Sequence, residues 1–336
     1  MGGEAGALRG RRVAVVGCGG AGRMHADALG RAGIPVAALI DPDEQRRTEL
    51  AQAWPDALVA AEPGAVLDAF DLALVAVPDR FHAPVSIELL DAGKDVLVEK
   101  PMAGTRADAE AMAAIAEATG RFLAVGHVRR NLAVKPWAHA LLASGQLGRV
   151  ERVEASQGGR DDWVAASEGY VAQAVGGVVA NQGAHTIDVL AWWFGPLEVV
   201  SCTDDSRGGQ EANAAIELVA GSIPIHLELS RVRSLRNTIR IHTERGLLEV
   251  ALDQYQPKQL IGVPEGVEVA PFVEQTQDLA GQFDQQLVGL ADALDGRWPD
   301  TLATPASGIQ VASVIEACAR VRTSEEPWWM APAVTR

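Results

Sequence analysis

The chain has 336 residues, with 44 acidic and 29 basic side chains and a formal net charge of −15. At roughly 150 residues per domain this length fits two domains, and 48% apolar against 22% charged residues fits a globular chain with a sizeable core. The acidic balance is the opposite of the basic footprint that phosphate backbones and anionic lipid surfaces require, so neither nucleic acid nor a membrane is an expected partner.

Three cysteines, Cys18, Cys202 and Cys318, are widely spaced and odd in number, which is neither a disulfide framework nor a zinc site. The first twelve residues contain no apolar segment of the kind a signal peptide needs. No apolar run approaches the 18 or so residues of a membrane span. A reduced cytoplasmic location is the expectation. Only four of the bases are lysines, Lys94, Lys100, Lys135 and Lys258, so each retained lysine draws notice.

From Arg12 to about Val125 short apolar runs alternate with helix-like stretches. Val13 to Val16 reads as a strand buried on both faces of a parallel sheet. Helical sequence is predicted from Met24 to Arg31, and Val36 to Ile40 as a second strand. Leu72 to Val77 is another strand, stopped by Pro78. A helix over Ala83 to Ala92 precedes a strand over Asp95 to Val98. Thr105 to Thr119 is a helix capped by Thr105, with Asp108 at its third position, and ended by Gly120. Repeated βαβ units of this kind mean a doubly wound parallel sheet.

After about Gly148 the pattern changes. Val150 to Gln157 alternates like a half-solvated strand. Ala215–Val219 and Ile223–Leu229 flank Gly221-Ser222, a two-residue hairpin turn. In the second arm Ile223, Ile225, Leu227 and Leu229 share one face, and Pro224, His226 and Glu228 share the other. Thr238–Thr243 and Leu247–Ala251 form a further hairpin around Arg245-Gly246. Two late helices are expected, about Gln277–Leu294 and Pro305–Arg322. The fold class is therefore an α/β domain, residues 1–125, followed by an α+β domain, residues 126–336, with a large, mainly antiparallel open sheet. The C-terminal helices can pack back on the first domain.

Three groups of residues carry chemistry. Gly17-Cys18-Gly19-Gly20-Ala21-Gly22 matches GxGxxG, follows the first strand and opens a helix; Asp41 ends the second strand 19 residues after Gly22. Gly17 permits the tight turn, Gly19 lets backbone approach a pyrophosphate, and Gly22 permits close helix–strand packing. The helix N-terminus supplies N–H groups to phosphate. Asp41 would accept from the adenosine ribose and repel a 2′-phosphate, favouring NAD over NADP, while Arg46 and Arg47 stand close enough to meet such a phosphate. Glu99-Lys100-Pro101 lies at the carboxyl end of a strand, where ligands bind in open α/β sheets. Lys100 is either a charge aimed at a reaction centre or a surface lysine paired with Glu99. On a helix from about Val179 to Phe194, Asn181, His185 and Asp188 are spaced i, i+4, i+7 and share a face. That stripe lines a cavity, or it is a core histidine satisfied by Asp188. No metal is expected, since the set lacks a third sulfur or histidine ligand.

At these residues the chain resembles the Gfo/Idh/MocA family, the relatives of glucose–fructose oxidoreductase and inositol dehydrogenase. The resemblance runs from about Arg12 to Arg322. It rests on four ordered signals: the Gly17–Gly22 loop, Val77-Pro78-Asp79-Arg80-Phe81-His82, Glu99-Lys100-Pro101, and the Gly-Gly…Asn-x-Gly-x-His-x-x-Asp segment from Gly176 to Asp188. It implies an NAD-binding Rossmann domain and an oxidoreductase acting on a sugar, polyol or cyclitol, with the second sheet carrying substrate and subunit contacts in a dimer or tetramer. Cofactor contacts are then expected at Gly17 to Gly22, Asp41, Val77, Pro78, His82, Glu99 and Lys100. Lys100 matches the family's catalytic lysine and His185 its acid/base histidine, with Asp188 orienting the histidine or binding a hydroxyl. Asn181 stands where inositol dehydrogenases have Asp, which weakens an inositol assignment.

The implied chemistry is interconversion of a secondary alcohol and a ketone. His185 takes the carbinol proton, an unperturbed imidazole titrating near about 6.5, and Lys100 stabilises the alkoxide while hydride leaves to the nicotinamide. The stretch Gly158 to Tyr170, with Asp161 and Trp163, could stack on a sugar and meet amino groups, which makes an aminated sugar, aminocyclitol or aminoglycoside one candidate and a solvated loop the other. Two other functions stay open: a glycosidase that uses NAD for transient oxidation, and a non-catalytic NAD-binding regulator. The pair Arg129-Arg130 is left to phosphate, to substrate or to the sheet's own acids.

Overall fold

The computed structural model describes residues 8, 10–159, 177–206, 210–273 and 278–324. The chain divides into two units, one of residues 1–132 with 276–312 and one of 133–275 with 313–336. Among the described residues no helix is long and apolar enough to cross a membrane.

The first unit holds six parallel strands: β1 (Val13–Val16), β2 (Val36–Ile40), β3 (Leu58–Ala60), β4 (Leu72–Val75), β5 (Asp95–Glu99) and β6 (Leu123–Gly126). Their order is β3-β2-β1-β4-β5-β6, the doubly wound arrangement with its switch point at β1/β4. Four helices join them: α1 (Gly20–Arg31), α2 (Glu44–Ala51), α3 (His82–Asp91) and α4 (Arg106–Thr119). The two faces of the sheet are two separate cores. Val13 and Val15 belong to one, with Ala26, Leu29, Phe283 and Leu290; Ala14 and Val16 belong to the other, with Ala109, Met112 and Ala312. A strand apolar at every position is what covering on both faces demands. The late helix Leu279–Leu294 packs on α1.

Local signals work as their chemistry requires. The Thr105 side chain accepts from Asp108 N at 3.1 Å, and Gly120 ends α4 at φ 63°, a cap of about 1 kcal/mol. Several boundaries in this unit differ from the sequence reading, and two of the differences have a clear cause. Helix α1 starts at Gly20 rather than Met24, because the last glycines of the loop are themselves the first helical turn. Strand β4 ends at Val75, two residues before Val77; Ala76 still donates to Val16 O at 2.7 Å, but the chain then leaves the sheet beneath Gly17.

The second unit begins with α5 (Val134–Ala143) and holds an eight-stranded mixed sheet. Its strands are β7 (Val150–Gly158), β8 (Leu197–Asp204), β9 (Asn213–Ala220), β10 (Ile223–Ser230), β11 (Thr238–Thr243), β12 (Gly246–Ala251), β13 (Leu260–Gly262) and β14 (Arg322–Ser324). The β10–β7 and β14–β8 pairs are parallel, the rest antiparallel. Ile225, Leu227 and Leu229 are buried while Pro224 is exposed and His226 and Glu228 half-buried, the alternation of a sheet with one covered face. Gly221-Ser222 links β9 to β10 as a two-residue turn, Ala220 facing Ile223. In the next hairpin the turn residues are Glu244-Arg245, not Arg245-Gly246: Gly246 already pairs with Thr243, and its φ of 123° starts the strand under Pro264.

The histidine segment departs from a single α-helix. Residues Val179–Gly183 form one π-helical turn, and α6 (Ala184–Phe194) follows. A π turn closes i→i+5 bonds and so holds one more residue than an α turn. His185 and Asp188 keep their shared face, but Asn181 precedes the change of period and the straight i, i+4, i+7 stripe is broken. A Cβ at Gly183 would lie 2.7 Å from Leu229 Cδ1 of β10, so a larger residue there has to displace that side chain.

Candidate active site

In the first unit the site is built largely of backbone. After β1 the chain turns at Gly17, φ 98°, where a Cβ would fall 2.4 Å from Ala76 O; a Cβ on Gly22 would fall 1.8 Å from Gly17 O. Both positions therefore exclude any side chain. Gly19 and Gly20 are different: a Cβ at either meets nothing within 4 Å. They border open space at the start of α1, and Gly19, the N-cap residue, offers no side chain to the first-turn N–H groups. Free N–H groups, a helix dipole and room for a close approach are what a pyrophosphate needs.

Asp41, buried at the end of β2, accepts from Cys18 N with Oδ2 and from Asp43 N with Oδ1, both at 2.8 Å. It pins the glycine loop to the start of α2, and each oxygen keeps a lone pair for a ribose hydroxyl. The nearby bases are committed locally: Arg47 Nη1 donates to the carbonyls of Asp41 and Pro42 at 3.1 and 3.0 Å, and Arg46 pairs with Asp43 at 3.3 Å. Burial, followed by the charge of Asp41, pushes the Cys18 thiol up to about 12, so this residue contributes its N–H and not a thiolate. The set fits a dinucleotide.

Beyond β4, Val77 and Pro78 are half-buried and His82 is fully enclosed. The His82 ring lies between Pro101 O, 2.7 Å from Nδ1, and Val77 O, 2.9 Å from Nε2, and in its neutral form donates to one of the two. Burial holds His82 below its ordinary value against the two carbonyls and the Glu99 charge, which favour the protonated ring. At the end of β5, Glu99 is buried and Lys100 half-buried. Glu99 Oε1 accepts from His25 Nε2 at 2.9 Å, and Oε2 from Lys100 N at 3.2 Å. Burial resists ionisation of Glu99, but the His25 hydrogen bond and the charges of His25 and Lys100 outweigh it and hold the carboxyl below its ordinary value. Arg130 is buried, donating to Asp300 O and Ser307 Oγ, each at 3.1 Å.

In the second unit His185 and Asp188 are buried on α6, and Asn181 is half-buried in the π turn. Thr186 Oγ1 donates to Gln157 Oε1 of β7 at 2.8 Å. The segment is fixed at its start by Glu211, whose Oε1 accepts from Val179 N at 3.0 Å and whose carbonyl accepts from Val178 N at 2.9 Å. Gly177 makes this possible, because a Cβ there would lie 2.2 Å from Glu211 O. Burial pushes the Glu211 carboxyl up, against backbone hydrogen bonds from its own N–H and from Val179 N. Asp161 and Trp163 lie outside the described residues. Among the described residues no group of three or more His, Cys, Asp or Glu is placed to hold a metal.

His25 and Glu211 escaped the sequence reading. Each acts through a partner more than thirty residues away, Glu99 and Val179; the trace His25 leaves is a lone histidine in a helix otherwise rich in Ala and Gly.

Two domain models cover most of the chain. The model described as oxidoreductase family, NAD-binding Rossmann fold, matches residues 11–127, and the Gfo/Idh/MocA C-terminal domain matches residues 137–249. The chain belongs to the Gfo/Idh/MocA oxidoreductase family. Its first unit is thus an NAD-binding Rossmann domain, and the chain is an NAD-dependent oxidoreductase. Among this family's members it is 26% identical over 301 residues to inositol 2-dehydrogenase of Corynebacterium glutamicum, covering 84% of this chain and 85% of that one. It is 32% identical over 200 residues to inositol 2-dehydrogenase 2 of Saccharopolyspora erythraea, covering 57% and 56%. The structure of GenD2 from gentamicin A biosynthesis in complex with NAD superposes with a TM-score of 0.74 at 25% identity, over 92% of this chain and 93% of that one.

Proposed function

We propose that this oxidoreductase interconverts a secondary alcohol and a ketone on a sugar, cyclitol or glycoside, with Lys100 and His185 as its catalytic residues. The observation that carries the reading is the cradle of Gly17 to Gly22 with Asp41, built to hold a dinucleotide at the carboxyl edge of the sheet where Lys100 also stands. The substrate class is supported by the similarity to inositol 2-dehydrogenase along 85% of that enzyme.

In this reading the N–H groups at the start of α1 hold the pyrophosphate, and Asp41 accepts from the adenosine ribose. Bound NAD supplies the hydride acceptor, or NADH the donor in the reverse direction. His185 accepts the carbinol proton at its imidazole and returns it to the alkoxide in reverse. Lys100 presents its ammonium to the oxygen on which negative charge develops. Asp188, one turn from His185, orients the ring or binds a neighbouring hydroxyl.

The test is incubation of the purified protein with NAD and separate pools of neutral sugars, inositols, aminocyclitols and aminoglycosides, following NADH absorbance. Reduction in one pool establishes the alcohol-oxidising activity and sorts neutral from aminated substrates. With NAD binding confirmed, no NADH from any pool and no NADH consumption by the matching ketones overturns the proposal.

A further inference from the structure

The carboxylate of Glu99 is engaged by two groups of the first unit. It is buried at the end of β5, and both of its oxygens are occupied within the first unit. An ionised carboxylate only accepts hydrogen bonds, so His25 Nε2–H donates to Oε1 at 2.9 Å while Lys100 N donates to Oε2 at 3.2 Å. His25 is itself locked, buried on α1 with its ring edge-on to Phe283 at 4.9 Å between centroids. The neighbouring strand leaves the carboxylate its space: a Cβ on Gly126, the β6 residue paired with Glu99, would lie 3.0 Å from Oε1 and 3.2 Å from Cδ. The charged and titratable groups acting on Glu99 are His25 from α1 and Lys100 of its own segment, and Glu99 in turn acts on His82 of α3.

We infer that Glu99, held by His25, is a positioning residue for Lys100: its buried negative charge keeps the Lys100 ammonium protonated, and its second oxygen fixes the backbone from which that side chain springs. A charge that must be buried beside a lysine is costly unless it is paired. The pairing here is mutual, since the attraction by which Lys100 helps hold Glu99 ionised favours the Lys100 ammonium equally. A lysine that stabilises an alkoxide has to carry its proton throughout the pH range of turnover, and a fixed carboxylate behind it does that without facing the substrate. The inference rests on the role proposed for Lys100, and it can be tested apart from that role.

The scarcity of lysine makes the test direct. Protein labelled with carbon-13 at lysine Cε gives four signals, one per lysine, and Lys100→Arg identifies that of Lys100. The signal is titrated in the full chain without substrate, with the fold checked by circular dichroism. In Glu99→Gln, close in shape but uncharged, the Lys100 midpoint is expected to fall by about one pH unit or more. In His25→Leu it falls part of the way, and in His25→Gln, which keeps an N–H donor, it returns toward wild type. An unchanged Lys100 midpoint in folded Glu99→Gln overturns the inference. Should Glu99→Gln not fold, equal midpoints in His25→Leu and wild type overturn it. Turnover of Lys100→Ala tests the other reading separately: near wild-type turnover would remove the catalytic role of Lys100 whatever the titration gives.

Discussion

The two sheets solve opposite problems with the same element. In the first unit the central strands are covered on both faces, so Val13 to Val16 is apolar at each position and the useful polar groups are displaced to the carboxyl ends. The cradle of the glycine loop there is made of backbone N–H groups and of space kept empty by glycine. In the second unit one face of the sheet is polar, and a row of paired residues crosses it: Glu249 opposite Arg240, Arg240 opposite Glu154, Glu154 opposite His226, His226 opposite Glu217. Its candidate chemistry comes instead from side chains on a buried helix, His185 and Asp188 on α6. A site of backbone tolerates no added atom; a site of side chains fails when atoms are removed.

The largest effects are expected from deletion of the side chains. Lys100→Ala and His185→Ala should each lower turnover by at least ~10² while NAD still binds, as measured by steady-state rates beside a binding titration. Retained turnover in His185→Ala would leave the second unit with no chemical part, and in Lys100→Ala it would leave the first unit with the cofactor cradle alone.

The glycine loop supplies the converse test. Gly22→Ala puts a methyl 1.8 Å from Gly17 O and should cost at least about 1–3 kcal/mol of stability, read from urea unfolding. Gly19→Ala has open space for its methyl and should leave stability near wild type, but it should weaken NAD binding about tenfold by filling the approach to the helix N-terminus. Equal stability losses in the two variants would erase the distinction between a packing glycine and a binding one.

How much was legible in the sequence follows the same division. The parallel sheet shows because double burial writes an unbroken apolar run, and the glycine loop because a φ of 98° and a contact at 1.8 Å admit one residue type. The hairpin at Gly221-Ser222 shows because its turn must carry a glycine at φ 59°. The π turn did not show: nothing in Val179 to Gly183 separates a π turn from an α turn, and the partners beside it, Glu211 at its start and Leu229 next to Gly183, come from distant strands and loops. Nor did the contact of His25 with Glu99, which exists only once β5 lies beside β1's helix. Local chemistry is written locally; a pair made by the fold is not.

A smaller effect is expected at Asp41. Asp41→Ala removes the acceptor for Cys18 N and Asp43 N together with the charge that opposes a 2′-phosphate. NAD binding should weaken by about tenfold, on the order of 1.4 kcal/mol, with NADP binding unchanged or improved, so that the preference narrows. Unchanged discrimination between the two, measured by titration of each, would show that the carboxylate serves the loop alone.

The smallest effect is the acid dependence of stability, which sets the buried carboxylate of one unit against the exposed one of the other. Glu99 in the folded chain titrates below its ordinary value of 4.5, since the His25 hydrogen bond and nearby positive charges outweigh burial. A depressed carboxylate stabilises the fold above the unfolded value, and that contribution is lost as pH falls through the folded one. The gap in stability between wild type and Glu99→Gln should therefore be full at about pH 6 and close as the pH drops below 4.5. Glu154 on the polar face is also held low, burial being outweighed by Arg240, Arg152 and His242. Its side chain is 35% exposed, however, and solvent screens such pairs. Glu154→Gln should therefore show the same direction with a smaller gap at every pH. A larger gap for Glu154 would mean that the polar face of the second sheet is shielded from water in solution, and that the contrast between the two sheets is weaker than a single chain suggests.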